Sequence, residues 1–310
     1  MKKNVLIRAG ISVLIIFFLI RKVNFYEIIN VLREIRPAYY ILFLIPFYLV
    51  ILLSSLGIYY FLRSEKIKFR EVYKFKMISR SFSLFFPGQF GDFTLVPLLK
   101  NKNIPMGKSL AAQSINKIIS LCVLMIFASY GLFIYFGKNK FIEYLFYFFV
   151  LMVIVFLLIS SPVSRRFIRK YILRKYASLF SGFYTNFRYY LQHDKKALLF
   201  NFVSLSLWII STSFIIMILI NSFGYNLNLL TITSIQSIGS LSSFLPISLS
   251  GAGVRESIVV YLLYLAGTQP SVTTSILLVF LAISYLNSGI VMLIYSKEFS
   301  LEKVKKMLQS

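Results

Sequence analysis

The sequence predicts an all-α integral membrane protein that crosses the bilayer several times. Hydrophobic residues make up 58% of the 310 residues and charged residues only 14%, and several apolar stretches reach the roughly 20 residues that a helix needs to cross the hydrocarbon core. A further observation is a pair of similar interruptions in this apolar pattern, at residues 85–92 and 244–256. We therefore expect a single transmembrane domain over residues 1–310 that contains two broken helical hairpins.

Hydropathy predicts six spanning helices. The first lies between Lys3 and Arg21 and has no small-residue cleavage site, so we interpret it as a retained helix and not as a signal peptide. In chain order the six lie near Val5 to Ile20, Ala38 to Leu62, Ser109 to Phe136, Phe141 to Ser160, Ala197 to Phe223 and Ser271 to Tyr295.

The first interruption follows a helix that is predicted to end at Phe86. It runs from Pro87 through two glycines to Asp92, and a short apolar arm follows over residues 93–99. Seven helical residues extend only about 10 Å, far less than the roughly 30 Å hydrocarbon core. We therefore predict that this arm re-enters the membrane and does not cross it.

The second interruption repeats this order of a helix, a proline, glycines, charged residues and a short arm. Its parts are a helix over residues 228–245, Pro246, Gly251, Gly253, Arg255, Glu256 and an arm over residues 257–266. In lipid, a broken helix persists only where it is buried in protein or lines a polar cavity. Paired breaks in two halves of a chain indicate a transporter's substrate site. We predict inverted-topology repeats over about residues 63–136 and 228–295.

The distribution of basic residues predicts the orientation. Segments at one predicted face contain 25 basic residues, and segments at the opposite face contain only 6. Because cytoplasmic loops carry the excess of Lys and Arg, we expect a multi-pass protein of the plasma membrane with both termini in the cytoplasm. The first hairpin lies between basic segments and the second between uncharged loops, so we expect them to enter from opposite sides.

The formal net charge of +24 at pH 7 predicts anionic membrane lipids as partners and no nucleic acid, because the basic residues are concentrated where they face anionic headgroups. The segment over residues 161–196 interleaves basic and aromatic residues and is predicted to be an amphipathic helix at the cytoplasmic interface. It either supplies topological charge or recruits anionic lipid.

Four charged residues lie within or beside the apolar segments near the breaks, namely Asp92, Lys117, Arg255 and Glu256. Insertion scales assign roughly 2.5 to 3.5 kcal/mol to such a residue at a helix centre, so each needs a partner or a wet cavity. Arg255 and Lys117 are predicted to bind phosphate, and the two acids to position them or to bind a cationic group or a proton. The alternatives are an internal Arg255–Glu256 ion pair and an Asp92 side chain that caps the return arm.

The glycines and prolines of the two breaks complete the candidate site. Glycine lets the backbone approach a headgroup closely, and the helix N-termini that follow add partial positive charge. These residues are Gly88, Gly91, Gly251, Gly253, Pro87 and Pro246.

Catalytic, metal and nucleotide sites are not expected. Cys122 and His193 are the only residues of their types, so we predict no cofactor and no metal site, and no nucleotide-binding motif occurs. We therefore expect no enzyme activity. The alternatives are an intramembrane lipid-modifying transferase with Asp92 or Glu256 as general base, and a non-transporting partner of a separate lipid-modifying enzyme.

Residues 246–256, Pro-Ile-Ser-Leu-Ser-Gly-Ala-Gly-Val-Arg-Glu, resemble the second signature of the lysylphosphatidylglycerol synthase transmembrane region, also called the flippase-like domain family. Residues 87–92, followed by Pro105 and Lys117, resemble its first signature, in which Glu is more usual at the position of Asp92. The resemblance implies a flippase-like protein, since in the bifunctional members this membrane region moves an aminoacylated phospholipid between leaflets. From the charged residues near the breaks, we expect a translocase that binds an anionic phospholipid or polyprenyl-phosphate-type headgroup in a midplane cavity. Since the chain ends at Ser310, the resemblance implies a stand-alone protein without the aminoacyltransferase domain.

Overall fold

The computed structural model describes residues 25–35, 40–86, 90–161, 181–245 and 247–295, together with the isolated positions Leu14, Phe17, Phe18 and Arg21. Every element of regular secondary structure assigned in these ranges is a helix, which confirms the all-α prediction. The helices are α1 (Phe25–Glu34), α2 (Tyr40–Phe61), α3 (Phe69–Ser83), α4 (Leu95–Lys100), α5 (Met106–Ser160), α6 (Phe183–His193), α7 (Lys195–Asn221), α8 (Leu229–Ser242), α9 (Val254–Leu265) and α10 (Pro270–Ile294). A 3₁₀ turn, Phe90–Thr94, leads directly into α4.

Four helical stretches in the described ranges are long and apolar enough to cross a membrane. They are Ile41–Phe61, Met106–Tyr147, Lys195–Asn221 and Pro270–Ile294. The two spans predicted near residues 109–136 and 141–160 both lie in α5, which has a non-helical break at Gly137 (φ 76°, ψ 169°). Most of the span predicted near residues 5–20 lies outside the described residues.

The outer surfaces of these helices are apolar. Large hydrophobic side chains are exposed along α2, α5, α7 and α10, including Ile41, Phe133, Leu199, Leu207, Leu286 and Leu293. Soluble monomers rarely expose apolar patches that extend along several helices. The surface is therefore suited to the hydrocarbon of a bilayer.

Helix α1 was not predicted from the sequence. It has only 10 residues and buries one side, with Ile28 and Val31 4% and 9% exposed while Tyr26 is 78% exposed. It packs against α10, where the Ser275 hydroxyl donates a hydrogen bond to the Ile28 carbonyl at 3.4 Å. A short helix with a single apolar face gives little hydropathy signal, so apolar runs in the sequence do not predict it.

Two units have the same order of elements. In the first, α3 is followed by a break, the short α4 and the long α5, and in the second α8 is followed by a break, α9 and α10. The first helices have 15 and 14 residues and the short arms 6 and 12, which correspond to about 22, 21, 9 and 18 Å. Each is shorter than the hydrocarbon core of roughly 30 Å. Re-entry into the membrane and inverted topology stay predictions.

The ends of these helices differ slightly from the predicted ones. Helix α3 ends at Ser83 and not at Phe86, and α8 ends at Ser242 and not at Leu245. In both cases a turn fills the residues between the last helical turn and the proline, because the residue before a proline is disfavoured in the α conformation.

The two units pack reciprocally around α2 and α7. Helix α3 packs against α10 of the second unit, and α8 packs against α5 of the first. Each unit has its own apolar core. The core of the first unit includes Phe61 near the end of α2, and the core of the second unit includes Phe43 near the start of α2. The units therefore lie toward opposite ends of α2.

The described part of the basic segment packs on the helix bundle. In α6, Phe187 and Tyr190 are 4% and 1% exposed, and the Tyr190 hydroxyl donates a hydrogen bond to the Phe61 carbonyl at 3.1 Å. Residues 162–180 of the predicted interfacial helix lie outside the described residues. Helix α6 is amphipathic and its apolar face contacts protein, so an amphipathic helix at the membrane interface stays a prediction.

Single-cysteine labelling should test the predicted orientation. In a variant without Cys122, a cysteine at Asn226 or Gln269 should react with an impermeant thiol reagent from outside intact cells, and a cysteine at Asn101 should not. All three positions are exposed, whereas Thr268, between the same helices as Gln269, is only 1% exposed and serves as a negative control for access. Labelling of Asn101 from outside would contradict the orientation and the opposite entry of the hairpins.

Candidate functional site

The two breaks are in direct contact. The Ser250 backbone N–H donates a hydrogen bond to the Phe86 carbonyl at 3.1 Å. The Tyr285 hydroxyl of α10 donates to the Leu84 carbonyl, just beyond α3, at 3.2 Å. The described parts of the two interruptions therefore lie side by side and not at opposite ends of the molecule.

Gly91 allows the first break to pack tightly on α3. A Cβ atom at this position would lie 2.5 Å from the Ser83 Cα, which is a backbone atom that cannot move aside. The Ser79 hydroxyl donates to the Asp92 carbonyl at 2.7 Å, and the Thr94 hydroxyl donates to the Gly91 carbonyl at 2.7 Å. These contacts hold Asp92 against α3.

Asp92 forms a buried ion pair with Lys117 of α5. Asp92 is 4% exposed, and the Lys117 ammonium donates to its Oδ2 atom. The Asp92 Oδ1 atom is buried and has no hydrogen-bond partner among the described residues. Lys117 also lies 5.5 Å from the ring centroid of Phe244, so it connects the first unit to the second break. The described contacts of Asp92 therefore differ from the predicted helix cap.

Glu256 caps helix α9, in whose first turn it lies. Its Oε2 atom accepts a hydrogen bond from the Gly253 N–H at 2.7 Å, which satisfies a backbone donor at the N-terminus of α9. Upstream, Gly251 has a φ of 82°, and a Cβ atom there would lie 2.5 Å from the Ser243 hydroxyl oxygen. The second break thus depends on a glycine in the left-handed region and on a carboxylate cap.

Arg255 does not form the alternative ion pair with Glu256. Its Nη2 atom donates to the side-chain oxygen of Gln236 on α8 at 3.1 Å, and the described residues show no salt bridge between Arg255 and its neighbour in sequence. An amide oxygen is a neutral partner, so this hydrogen bond adds no full negative charge beside the guanidinium, and the Glu256 carboxylate acts on Arg255 through its charge alone.

Two neighbouring cavities lie between the units. The larger, of about 130 Å³, is lined by Arg80, Arg255 and Glu256, and the smaller, of about 40 Å³, by Arg80, Lys76, Asp92 and Lys117. Both are also lined by Val50, Ser120 and Trp208. Asp92, Lys117, Arg255 and Glu256 are therefore gathered around one polar region, to which each unit contributes a basic and an acidic side chain.

Lys76 and Arg80 also line the cavities, and neither was predicted as a site residue. They were counted with the cytoplasmic basic residues, but Lys76 is only 3% exposed, so its assignment to the surface was wrong. The spacing of Lys76, Ser79, Arg80 and Ser83 places four polar residues on one face of α3, and Ser79 and Ser83 are fully buried. That polar stripe was the available signal.

A buried amide pair lies beside the smaller cavity. The Asn201 side-chain amide on α7 donates to the Asn116 side-chain oxygen at 3.0 Å. The remaining Asn201 oxygen, and both polar atoms of the Gln113 side chain, are buried without a partner among the described residues. Buried polar atoms of this kind are normally hydrogen-bonded, so we expect them to bind water.

The other predicted site residues fall into two groups. Gly91, Gly251 and Gly253 are described residues of the two breaks. A Cβ atom at Gly91 or Gly251 would lie against other atoms of the protein. Pro87, Gly88 and Pro246 lie outside the described residues. A contact of any of these residues with a headgroup stays a prediction.

This architecture defines an all-α integral membrane protein with a basic polar cavity between two units of broken helices. The chain belongs to the family described as the lysylphosphatidylglycerol synthase TM region, whose model matches residues 5–291. No curated protein matches the chain.

Proposed function

We propose that this protein is a membrane lipid translocase that binds an anionic headgroup in the cavity between its two units. The proposal rests on one observation: basic side chains from both units line the same polar region. These are Lys76, Arg80 and Lys117 from the first unit and Arg255 from the second. Buried charges in a membrane protein typically mark a substrate path.

The headgroup binds chiefly to Arg255 and Lys117. A guanidinium offers a bidentate fork to phosphate oxygens, and an ammonium offers a point charge. Asp92 orients Lys117 through their ion pair. Glu256 stabilises the first turn of α9, from which the Arg255 side chain reaches the cavity.

Water in the cavity accompanies the headgroup. The unpartnered buried atoms of Asp92, which lines the smaller cavity, and of Asn201, which donates to the lining residue Asn116, support a hydrated cavity, because such atoms bind ordered water. A hydrated path lowers the cost of moving a charged group through the membrane, while the apolar chains of the lipid stay in the bilayer.

Inverted repeats provide the route in this proposal. The two units pack toward opposite ends of α2 and contact each other where their helices are broken, which is the arrangement expected if the hairpins enter from opposite faces. Rocking of one unit against the other then exposes the same headgroup site to each leaflet in turn. The lipid gradient or the membrane potential supplies the energy.

Reconstitution tests the proposal. Proteoliposomes that contain a fluorescent anionic phospholipid, such as labelled phosphatidylglycerol or phosphatidic acid, are treated with a quencher that reaches only the outer leaflet. We expect the wild-type protein to expose the protected inner-leaflet lipid to the quencher, whereas protein-free liposomes and labelled phosphatidylcholine keep it protected.

The assay also separates the alternatives. If the folded protein moves no anionic lipid, the translocase proposal is wrong. A new covalent lipid product detected by mass spectrometry of the same vesicles would instead favour the transferase, and a lack of both activities would favour a non-transporting partner.

A further inference from the structure

The lining of the two cavities has a surplus of positive charge. In the part of the chain that the structure describes, its basic side chains are Lys76, Arg80, Lys117 and Arg255, and its acidic side chains are Asp92 and Glu256. Four positive and two negative charges leave a net charge of +2.

Both carboxylates already have partners. Asp92 is paired with Lys117, and Glu256 accepts the Gly253 N–H at 2.7 Å. Both carboxylates are therefore engaged within the protein, and the lining as a whole has more positive than negative charge. An aminoacylated lipid, whose headgroup carries ammonium groups, would meet a positive surface.

Three of the basic groups form no salt bridge in the described ranges, although Asp92 acts electrostatically on Lys76 and Arg80, and Glu256 acts on Arg255. Arg255 is bound by the neutral amide of Gln236, and Lys76 and Arg80 form no hydrogen bond or salt bridge with another described residue. Two carboxylates shared among four basic groups leave part of the positive charge of the lining unbalanced, which is costly where the groups are buried. The cavity is therefore prepared for an anion that supplies the missing negative charge.

The size of the cavity limits the headgroup. Volumes of about 130 and 40 Å³ are small beside the roughly 300–1,000 Å³ of pockets that enclose drug-sized ligands. One phosphate-sized group with water suits this space better than a headgroup with a sugar or an aminoacyl extension. The hydrocarbon chains must lie outside it, in the bilayer.

We infer that the site selects a lipid whose headgroup is a phosphate monoester, bound by Arg255 and Lys117 together with Lys76 and Arg80. A phosphate monoester carries a charge of about −1.5 to −2 at pH 7, which balances the surplus of the lining, whereas a phosphodiester with its single charge leaves part of it uncompensated. This inference specifies the substrate class of the proposed translocase and rests on that function.

A binding comparison in detergent tests the headgroup class without requiring transport. Native mass spectrometry and thermal unfolding of the purified full-length protein are measured with phosphatidic acid, phosphatidylglycerol, lysylphosphatidylglycerol and soluble glycerol 3-phosphate. We expect phosphatidic acid to bind about ten-fold more tightly than phosphatidylglycerol, the difference expected from an additional charge-assisted contact, and lysylphosphatidylglycerol to bind most weakly of the three lipids.

Variants of α3 connect this preference to the named residues. Arg80→Gln and Lys76→Gln should each remove most of the preference for phosphatidic acid, while Arg80→Lys should keep part of it because the charge remains. Arg70→Gln is the matched control, since Arg70 lies exposed on the same helix, and should keep the full preference. The comparison of lipids on the wild-type protein remains decisive if a variant does not fold.

Each other outcome overturns part of the inference. Equal affinity for phosphatidic acid and phosphatidylglycerol, or a preference for lysylphosphatidylglycerol, would refute a phosphate monoester site. If glycerol 3-phosphate bound as tightly as phosphatidic acid, the site would belong to a soluble phosphate monoester and the lipid assignment would be wrong. If the protein bound phosphatidic acid selectively but moved no lipid in vesicles, the translocase proposal would be refuted. The assignment of the headgroup class would still stand.

Discussion

Replacement of Arg255 by Gln should reduce lipid translocation in proteoliposomes about a hundred-fold while leaving a folded, membrane-inserted protein. The loss corresponds to two charge-assisted hydrogen bonds from the guanidinium to the phosphate. The variant should fold because Arg255 contacts the neutral Gln236 at 3.1 Å, to which a shorter amide side chain is an acceptable neighbour. Arg255→Lys should keep part of the activity, because the positive charge survives without the bidentate fork.

A double variant separates this role from a structural one. If Arg255 served only to compensate Glu256, Arg255→Gln alone would destabilise the protein, and the addition of Glu256→Gln would restore both stability and transport. Since the Glu256 carboxylate is bound by the Gly253 N–H at 2.7 Å, we expect the double variant to be less stable than Arg255→Gln and equally inactive. Recovery of transport in the double variant would exclude the phosphate-binding role.

Asp92→Asn should destabilise the protein by about 3–5 kcal/mol, the usual cost of removing one partner from a buried ion pair. Asp92 is 4% exposed, and the positive charges of Lys117, Lys76 and Arg80 all act on its carboxylate. Without it, three basic groups remain together in the interior. Reversible unfolding in mixed detergent micelles should show the loss, and the addition of Lys117→Met should recover a large part of it because the net charge of the cavity is restored.

An exposed ion pair provides the control for this comparison. Lys140 and Glu143 form a pair at 2.8 Å whose side chains are 57% and 39% exposed, so Glu143→Gln should leave stability nearly unchanged. If Asp92→Asn behaved like Glu143→Gln, or if the losses from Asp92→Asn and Lys117→Met simply added, the buried pair would have no structural role.

The helices could be predicted from the sequence because hydropathy is a local property. The ranges of α2, α7 and α10 differ from the predicted spans by only a few residues at each end, and the breaks lie where proline and glycine interrupt the apolar pattern. The ten-residue α1 was missed since its apolar face alternates with Tyr26 and Glu27 on the other side. A continuous apolar run reveals a helix that is apolar on all sides. A helix with one buried face mixes apolar and polar residues and is harder to recognise from such runs.

Part of the candidate site could also be predicted. Charged residues next to helix breaks are costly in a membrane, and this argument selected Asp92, Lys117, Arg255 and Glu256, all of which line the cavities. The same argument overlooked Lys76 and Arg80. Their helix α3 is polar enough to resemble a cytoplasmic segment, and a sequence does not distinguish a basic residue in water from one that faces an internal cavity.

The sequence by itself determined the class of protein, the approximate helix ranges, the two breaks and the residue types that surround them, because these depend on hydropathy and on local backbone preferences. Only the tertiary structure decided which groups meet: Ser250 with Phe86, Lys117 with Asp92, and Arg255 with Gln236 instead of Glu256. Such partners come from segments far apart in the chain or depend on the direction of a single side chain. Packing of all the helices together selects them, and no local pattern contains that information.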